Sequence, residues 1–98
     1  MITLNVHLKS KPGCELELLK ALKEIGDYVR QSEPGTVGFY VGQDTEDPAH
    51  FNTYERFVDE EAMNLHNNSE YRTKWGQKYK HLIGGNPQKY ICNEIVSK

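Results

Sequence analysis

A chain of 98 residues makes one domain, taken here as residues 1–98, with a core small enough to gain from burying one face in a partner. The net charge of −2, from 12 basic and 14 acidic residues, is too balanced for a protein that binds nucleic acid through its phosphates. Arg72, Lys74, Lys78, Lys80 and Lys89 come nearest to a basic cluster, and interspersed charge of this kind reads as a solvated helix face. No apolar run approaches the roughly 20 residues of a membrane span, and no signal-peptide core follows the first residues. Cys14 and Cys92 lie far apart and fit no metal-ligand spacing, so a cytoplasmic chain with reduced thiols is expected.

Ile2, Leu4, Val6 and Leu8 alternate with Thr3, Asn5, His7 and Lys9, which predicts a half-buried strand over 2–9. Lys11-Pro12-Gly13 breaks it. From Cys14 to about Arg30, Leu16, Leu19, Leu22, Ile25 and Val29 recur at three- to four-residue spacing, the pattern of an amphipathic helix. Glu33-Pro34-Gly35 ends that helix. Val37, Phe39 and Val41 predict a second strand, in which Gly38 and Gly42 mark a bulge or a close approach.

After a polar turn at 44–48, Phe51, Thr53, Glu55 and Phe57 share one face of a third strand, and Asp59 is a candidate N-cap. Ala62, Leu65 and His66 share a face of a short helix that Asn67-Asn68-Ser69 interrupts. Tyr71, Trp75, Tyr79 and Leu82 line a second helical piece, which Gly84-Gly85-Asn86-Pro87 stops before a closing strand around Tyr90 and Cys92. The predicted order is βαββαβ: an α+β, ferredoxin-like fold with a four-stranded antiparallel sheet and helices on one face. The other sheet face is left without cover, so a homodimer joined through it is expected.

His66 should point toward the sheet, where modest burial moves an imidazole pKa across neutrality and suits it to proton transfer. The alternative is a structural histidine bridging buried polar groups. Glu55 lies on an apolar strand face and must be paired or shifted in pKa, either with His66 as base and orienter or in an ion pair with Arg30, Arg72 or a partner chain. Phe39, Tyr71 and Trp75 are candidate walls of a flat substrate pocket, or core residues. His7 is expected on the opposite sheet face, and His50 and His81 toward solvent. The chain has no phosphate-binding glycine loop, no HExxH and no Cys–His cluster, so neither a metal nor a nucleotide cofactor is expected.

Taken together, these residues resemble the antibiotic biosynthesis monooxygenase family of small dimeric α+β barrels. Glu33-Pro34-Gly35 with Phe39 is similar to the family's E-x-G-x-x-x-Y segment. Tyr54-Glu55, Asp59, Glu61-Ala62, His66 and Ser69 match its Y-E-x-W-x-D-x-E-A-x-x-x-H-x-x-S core. Phe39, Phe57 and Tyr71 stand where tyrosine, tryptophan and a second histidine are usual. The resemblance implies oxidation of a small phenol or quinol by O2 without cofactor, with His66 as general base, Glu55 as orienter and Phe39, Tyr71 and Trp75 as walls. The haem-degrading branch is not matched, since its three key positions hold Val6, His66 and Gly76. The chain is also similar, through Asn5-Val6-His7, Tyr54-Glu55 and His66, to enzymes that process a phosphorylated bacterial signal. That similarity keeps open an isomerase moving a proton on a small carbonyl compound, with Arg72 and Lys74 as candidate cations for a phosphate. A dimeric metabolite-binding module without turnover is the third reading.

Overall fold

The computed structural model describes residues 1–98 and places four strands in one antiparallel sheet. In chain order the elements are β1 (Ile2–Ser10), α1 (Glu15–Ser32), β2 (Thr36–Gln43), β3 (His50–Phe57), α2 (Glu60–Asn67), α3 (Glu70–Tyr79), a single 3₁₀ turn (Lys80–Leu82) and β4 (Ile83–Asn93). The sheet order is β2-β3-β1-β4, so the two strands richest in inward apolar residues occupy its middle. This is the expected ferredoxin-like α+β arrangement, with the second helical region in two pieces.

Local chemistry accounts for the breaks. The Asp59 side chain accepts from the Ala62 N–H at 2.8 Å and starts α2, as expected. Ser69 does the same for α3 through the Arg72 N–H at 3.0 Å, which is why the helical region divides where it does. Gly35, in the α1–β2 turn, lies so close to α2 that a Cβ there would sit 2.8 Å from the Ala62 Cβ. Replacement of Gly35 by alanine is expected to cost about 1–3 kcal/mol, as overpacking against a backbone-fixed neighbour, read as a lower urea midpoint. The register of β2 against β3 shifts between Thr36 and Gly38, and a Cβ at Gly42 would meet Asn52 Oδ1 at 2.5 Å. The bulge is therefore present beside Gly38, while the close approach at Gly42 is made by a side chain and not by another backbone or a ligand.

Four expectations need correction. The buried stripe of α1 is Leu18, Ala21, Leu22, Ile25 and Val29, and Leu16 is exposed. Leucines at 16, 18 and 19 make the first turns apolar almost all round, and only the i−4 relation to Leu22 selects Leu18. On α2 the inward residues are Ala62, Met63 and His66, while Leu65 points to solvent. The closing strand is longer than expected, because Gly84-Gly85-Asn86-Pro87 belongs to β4. A register shift between His7 and Lys9 absorbs these residues, and β4 is an edge strand, where the missing N–H of proline is tolerated. His50 is only half exposed: its Nε2 is 3.0 Å from His7 Nδ1 on the outer sheet face. That outer face carries Asn5, His7, Tyr40, Tyr54, Arg56 and Tyr90, so it is polar and aromatic more than aliphatic.

The apolar core falls into two clusters. Leu8, Leu18, Leu22, Ile25, Phe51 and Trp75 belong to the larger one, and Leu4, Phe57, Ala62 and Met63 form the smaller. Phe51 and Phe57 sit at opposite ends of the inward face of β3, one in each cluster. Thr53 and Glu55 lie between them on that same face, both buried. A polar interruption in the middle of a small core costs stability unless it is fully partnered, and this one defines the site.

Candidate active site

Glu55 and His66 meet inside the domain. His66 Nε2 is 3.1 Å from Glu55 Oε1, with the two side chains 3% and 5% exposed. A second carboxylate completes the arrangement: Glu33, from the turn after α1, lies with Oε1 2.7 Å from His66 Nδ1. Each carboxylate is held by a threonine on a neighbouring backbone. Thr53 Oγ1 donates to Glu55 Oε2 at 2.6 Å, and Thr36 Oγ1 donates to Glu33 Oε1 at 2.8 Å. The His66 ring also packs against the rings of Phe57 and Phe39, at centroid distances of 5.5 and 5.9 Å.

An imidazole with a carboxylate beside each nitrogen favours the imidazolium, whose charge both carboxylates stabilise. Burial disfavours the charge, but the carboxylates of Glu55 and Glu33 outweigh it and raise the His66 pKa above its ordinary value. The folded state therefore binds this proton more tightly than the unfolded chain does. The stability contributed by the charged ring is fully present below about pH 6.5 and is lost as pH rises through the higher folded value. The His66 ring protons are expected to titrate above pH 6.5 by NMR, and urea stability should decline over the same window. Titration at or below 6.5 would contradict the pairing.

Two site oxygens, Glu55 Oε1 and Glu33 Oε2, are buried without a hydrogen bond within the protein, although Oε1 lies 3.1 Å from His66 Nε2. Buried acceptors are nearly always satisfied, so one left open beside a cavity is a feature to be explained by function. Glu55, Thr53 and His66 line a cavity of about 100 Å³ between the sheet and the helices, walled by Leu4, Val6, Leu22, Ile25, Phe39 and Trp75. Arg72 and Lys89 also reach its lining. On the far side of the His66 ring, Glu33 borders a separate hollow of about 240 Å³ with Tyr28, Ser32 and Ser69. The histidine thus links an inner cavity to an outer one.

Of the residues singled out from the sequence, His66, Glu55, Phe39 and Trp75 come together around this cavity. Tyr71 does not line it: its ring stacks on Tyr28 at 3.8 Å and 3°, outside the cavity. Trp75 is pinned by an Nε1–H donation to the Ala21 carbonyl at 2.8 Å. Arg30 pairs with Asp27, leaving Glu55 to His66. Lys74 is exposed and pairs with Glu70 at 2.9 Å, away from the cavity lining. Glu33 and Lys89 were the residues that sequence reasoning passed over. Glu33 was legible only as part of a helix-ending turn, and Lys89 only as a surface charge. No group of three or more His, Cys, Asp or Glu side chains is placed to hold a metal ion, and both cysteines are free thiols. No helix is long and apolar enough to cross a membrane.

Residues 1–78 match the sequence model of a family described as antibiotic biosynthesis monooxygenase. Among curated proteins, none matches the chain by sequence. Among solved structures, a protein described as an antibiotic biosynthesis monooxygenase superposes with a TM-score of 0.88 at 20% identity, covering 98% of this chain and 100% of its own. A protein from Pseudomonas aeruginosa gives a TM-score of 0.86 at 22% identity, over 97% of this chain and 94% of its own. A protein of unknown function from Nitrosomonas europaea gives 0.87 at 23%, over 99% and 91%. At these identities the structural likeness establishes the fold.

Proposed function

Since the chain belongs to the antibiotic biosynthesis monooxygenase family, we propose that it is a cofactor-independent monooxygenase that oxidises a single-ring phenol or quinol with O2. The observation that carries this reading is a buried carboxylate, Glu55, with an oxygen that has no hydrogen bond, in the lining of an apolar cavity. A phenolic hydroxyl entering the cavity finds in that oxygen the acceptor for its proton, and the imidazolium of His66 behind it steadies the carboxylate. Glu33 takes the orienting place at Nδ1. Glu55 keeps this proton until the oxygen that leaves as water can take it.

The electrons come from the substrate. A deprotonated quinol is electron-rich enough to reduce O2 directly; the resulting radical pair joins as a ring peroxide, which loses water. One oxygen atom enters the ring, the other leaves as water, and the quinol becomes a hydroxyquinone. The apolar walls Phe39 and Trp75 hold the ring and exclude bulk water. Size limits the substrate, because an apolar cavity of about 150 Å³ accommodates one benzene. At about 100 Å³ with an open mouth, this one takes a single ring, and a polycyclic phenol would need its walls to part.

The same open carboxylate supports a second reading, an isomerase that moves a proton on a small carbonyl compound, and the small cavity favours it too. Oxygen separates the two. Consumption of O2 with single-ring quinols, measured by electrode, supports the monooxygenase; turnover that persists under nitrogen supports the isomerase. Ligand binding with neither would make the protein a metabolite-binding module. The proposal includes a homodimer through the outer sheet face, supported by the absence of any covering element there, and a cytoplasmic location.

A further inference from the structure

Two cations line the cavity without a partner of their own. Arg72, on α3, is half-buried with its guanidinium 5.4 Å from the centroid of the Trp75 ring, and Lys89, on β4, is exposed at the rim. Neither side chain takes part in a salt bridge or hydrogen bond within the chain. Other cations do: Lys74 pairs with Glu70 at 2.9 Å, Arg30 with Asp27 at 3.0 Å and Arg56 with Glu94 at 2.7 Å.

The placement is directional. Lys89 and Thr53 are both opposite Val6, one on each side of β1, so Lys89 is separated from the Thr53–Glu55 strand by two strand spacings, about 10 Å. The cavity therefore has a carboxylate on β3 and a cation two strands away on β4, with Arg72 of α3 as a second cation in its lining beside Trp75. A neutral ligand would use the carboxylate and leave the cations idle. A ligand with a proton to lose at one end and an anion at the other would use both, and Arg72 offers the fork of donors that suits an oxyanion.

We propose that the substrate carries a second, anionic group, a carboxylate or phosphate, which Arg72 and Lys89 hold at the rim while its protic end meets Glu55. The proposal rests on reading this cavity as the substrate site and deepens it by naming the substrate as a small amphipathic anion. It requires no oxygen chemistry and applies equally to a phenol or a carbonyl compound.

Binding can be read directly, because Trp75 is the only tryptophan of the chain and lines the cavity, so its fluorescence reports occupancy. The probes are para-hydroxybenzoate against para-hydroxybenzamide, levulinate against its amide, and phenyl phosphate against phenol, all titrated under nitrogen. In at least one pair the anion is expected to bind about tenfold more tightly than its neutral partner, the order expected of charge-assisted hydrogen bonds at a partly open rim. The pair with the largest gap tells carboxylate from phosphate. R72Q and K89Q should each shrink the gap, and the double variant should close it while still binding the neutral probe. Equal affinities across all three pairs, no binding of any probe, or a gap that survives in the double variant would overturn the proposal. A protein that shows the gap yet consumes no O2 would lose the monooxygenase reading and keep this one.

Discussion

Glu55→Gln is expected to lower kcat about a thousandfold while leaving the fold and the substrate KM nearly unchanged. Glutamine keeps the shape of glutamate and its contact with the Thr53 hydroxyl, but its amide accepts a proton poorly, and general-base catalysis contributes about 10²–10⁴-fold. The loss should appear in kcat because the acceptor acts on a proton that moves only in the reaction. A native circular dichroism spectrum in buffer would show that the effect is chemical, while the urea midpoint should fall because one of the two carboxylates beside the His66 ring loses its charge. Glu33→Gln removes the second anion on the ring and leaves Glu55 in place, so it should cost less and should also lower the pH above which His66 loses its charge. If Glu55→Gln retained full turnover, Glu55 could not be the base.

Replacement of His66 by alanine should act first on stability. The imidazolium is the only cation between the buried carboxylate of Glu55 and the half-buried one of Glu33, and its removal leaves both unpaired. Breaking a buried pair in this way costs about 3–5 kcal/mol, a large part of the roughly 5–15 kcal/mol that holds a typical domain together. At a urea m-value near 1 kcal/mol/M for so small a chain, the midpoint should fall by about 3 M or more, enough to leave the variant largely unfolded in buffer. The loss should diminish when Glu33 and Glu55 are both made glutamine, because a neutral cluster has no charge to leave stranded. An unchanged midpoint in H66A would mean that the pairing contributes nothing to the fold.

The split cost of these two substitutions mirrors the split core. Along the inward face of β3, apolar Phe51 and Phe57 flank polar Thr53 and Glu55, and the two hydrophobic clusters end where the polar pair begins. A domain this small could have filled that space with another aliphatic pair. Instead it holds three ionisable groups in contact, and one oxygen of each carboxylate has no hydrogen bond. Those oxygens are the feature for which packing offers no reason.

Most of the fold was legible in the sequence, because strand alternation and helical spacing are local signals. Alternation in 2–9 and 51–57 gave the central strands, and Asp59 with Asn67-Asn68-Ser69 gave the start and break of the second helical region. The failures came where local signals were degenerate. Three leucines in the first turns of α1 left its inward face open between Leu16 and Leu18, and the glycine-proline run at 84–87 read as a stop while the structure uses it as an irregular edge strand. The site was half legible. His66 and Glu55 lie on a predicted helix and strand, so their facing could be inferred. Glu33 is 33 residues from His66 in a turn, and only the tertiary fold brings it to Nδ1. Tyr71 shared helical spacing with Trp75, yet its ring lies against Tyr28 outside the cavity, since spacing fixes a face and not the neighbour across it.

The most direct test of the account is the fate of labelled oxygen. The purified protein is supplied with ¹⁸O2 and a single-ring quinol, and the products are weighed by mass spectrometry beside those of Glu55→Gln. The account predicts one ¹⁸O atom in a hydroxyquinone and the other in water, with product from the variant reduced to near the uncatalysed level. A product without label, or labelled product formed equally by Glu55→Gln, would contradict it.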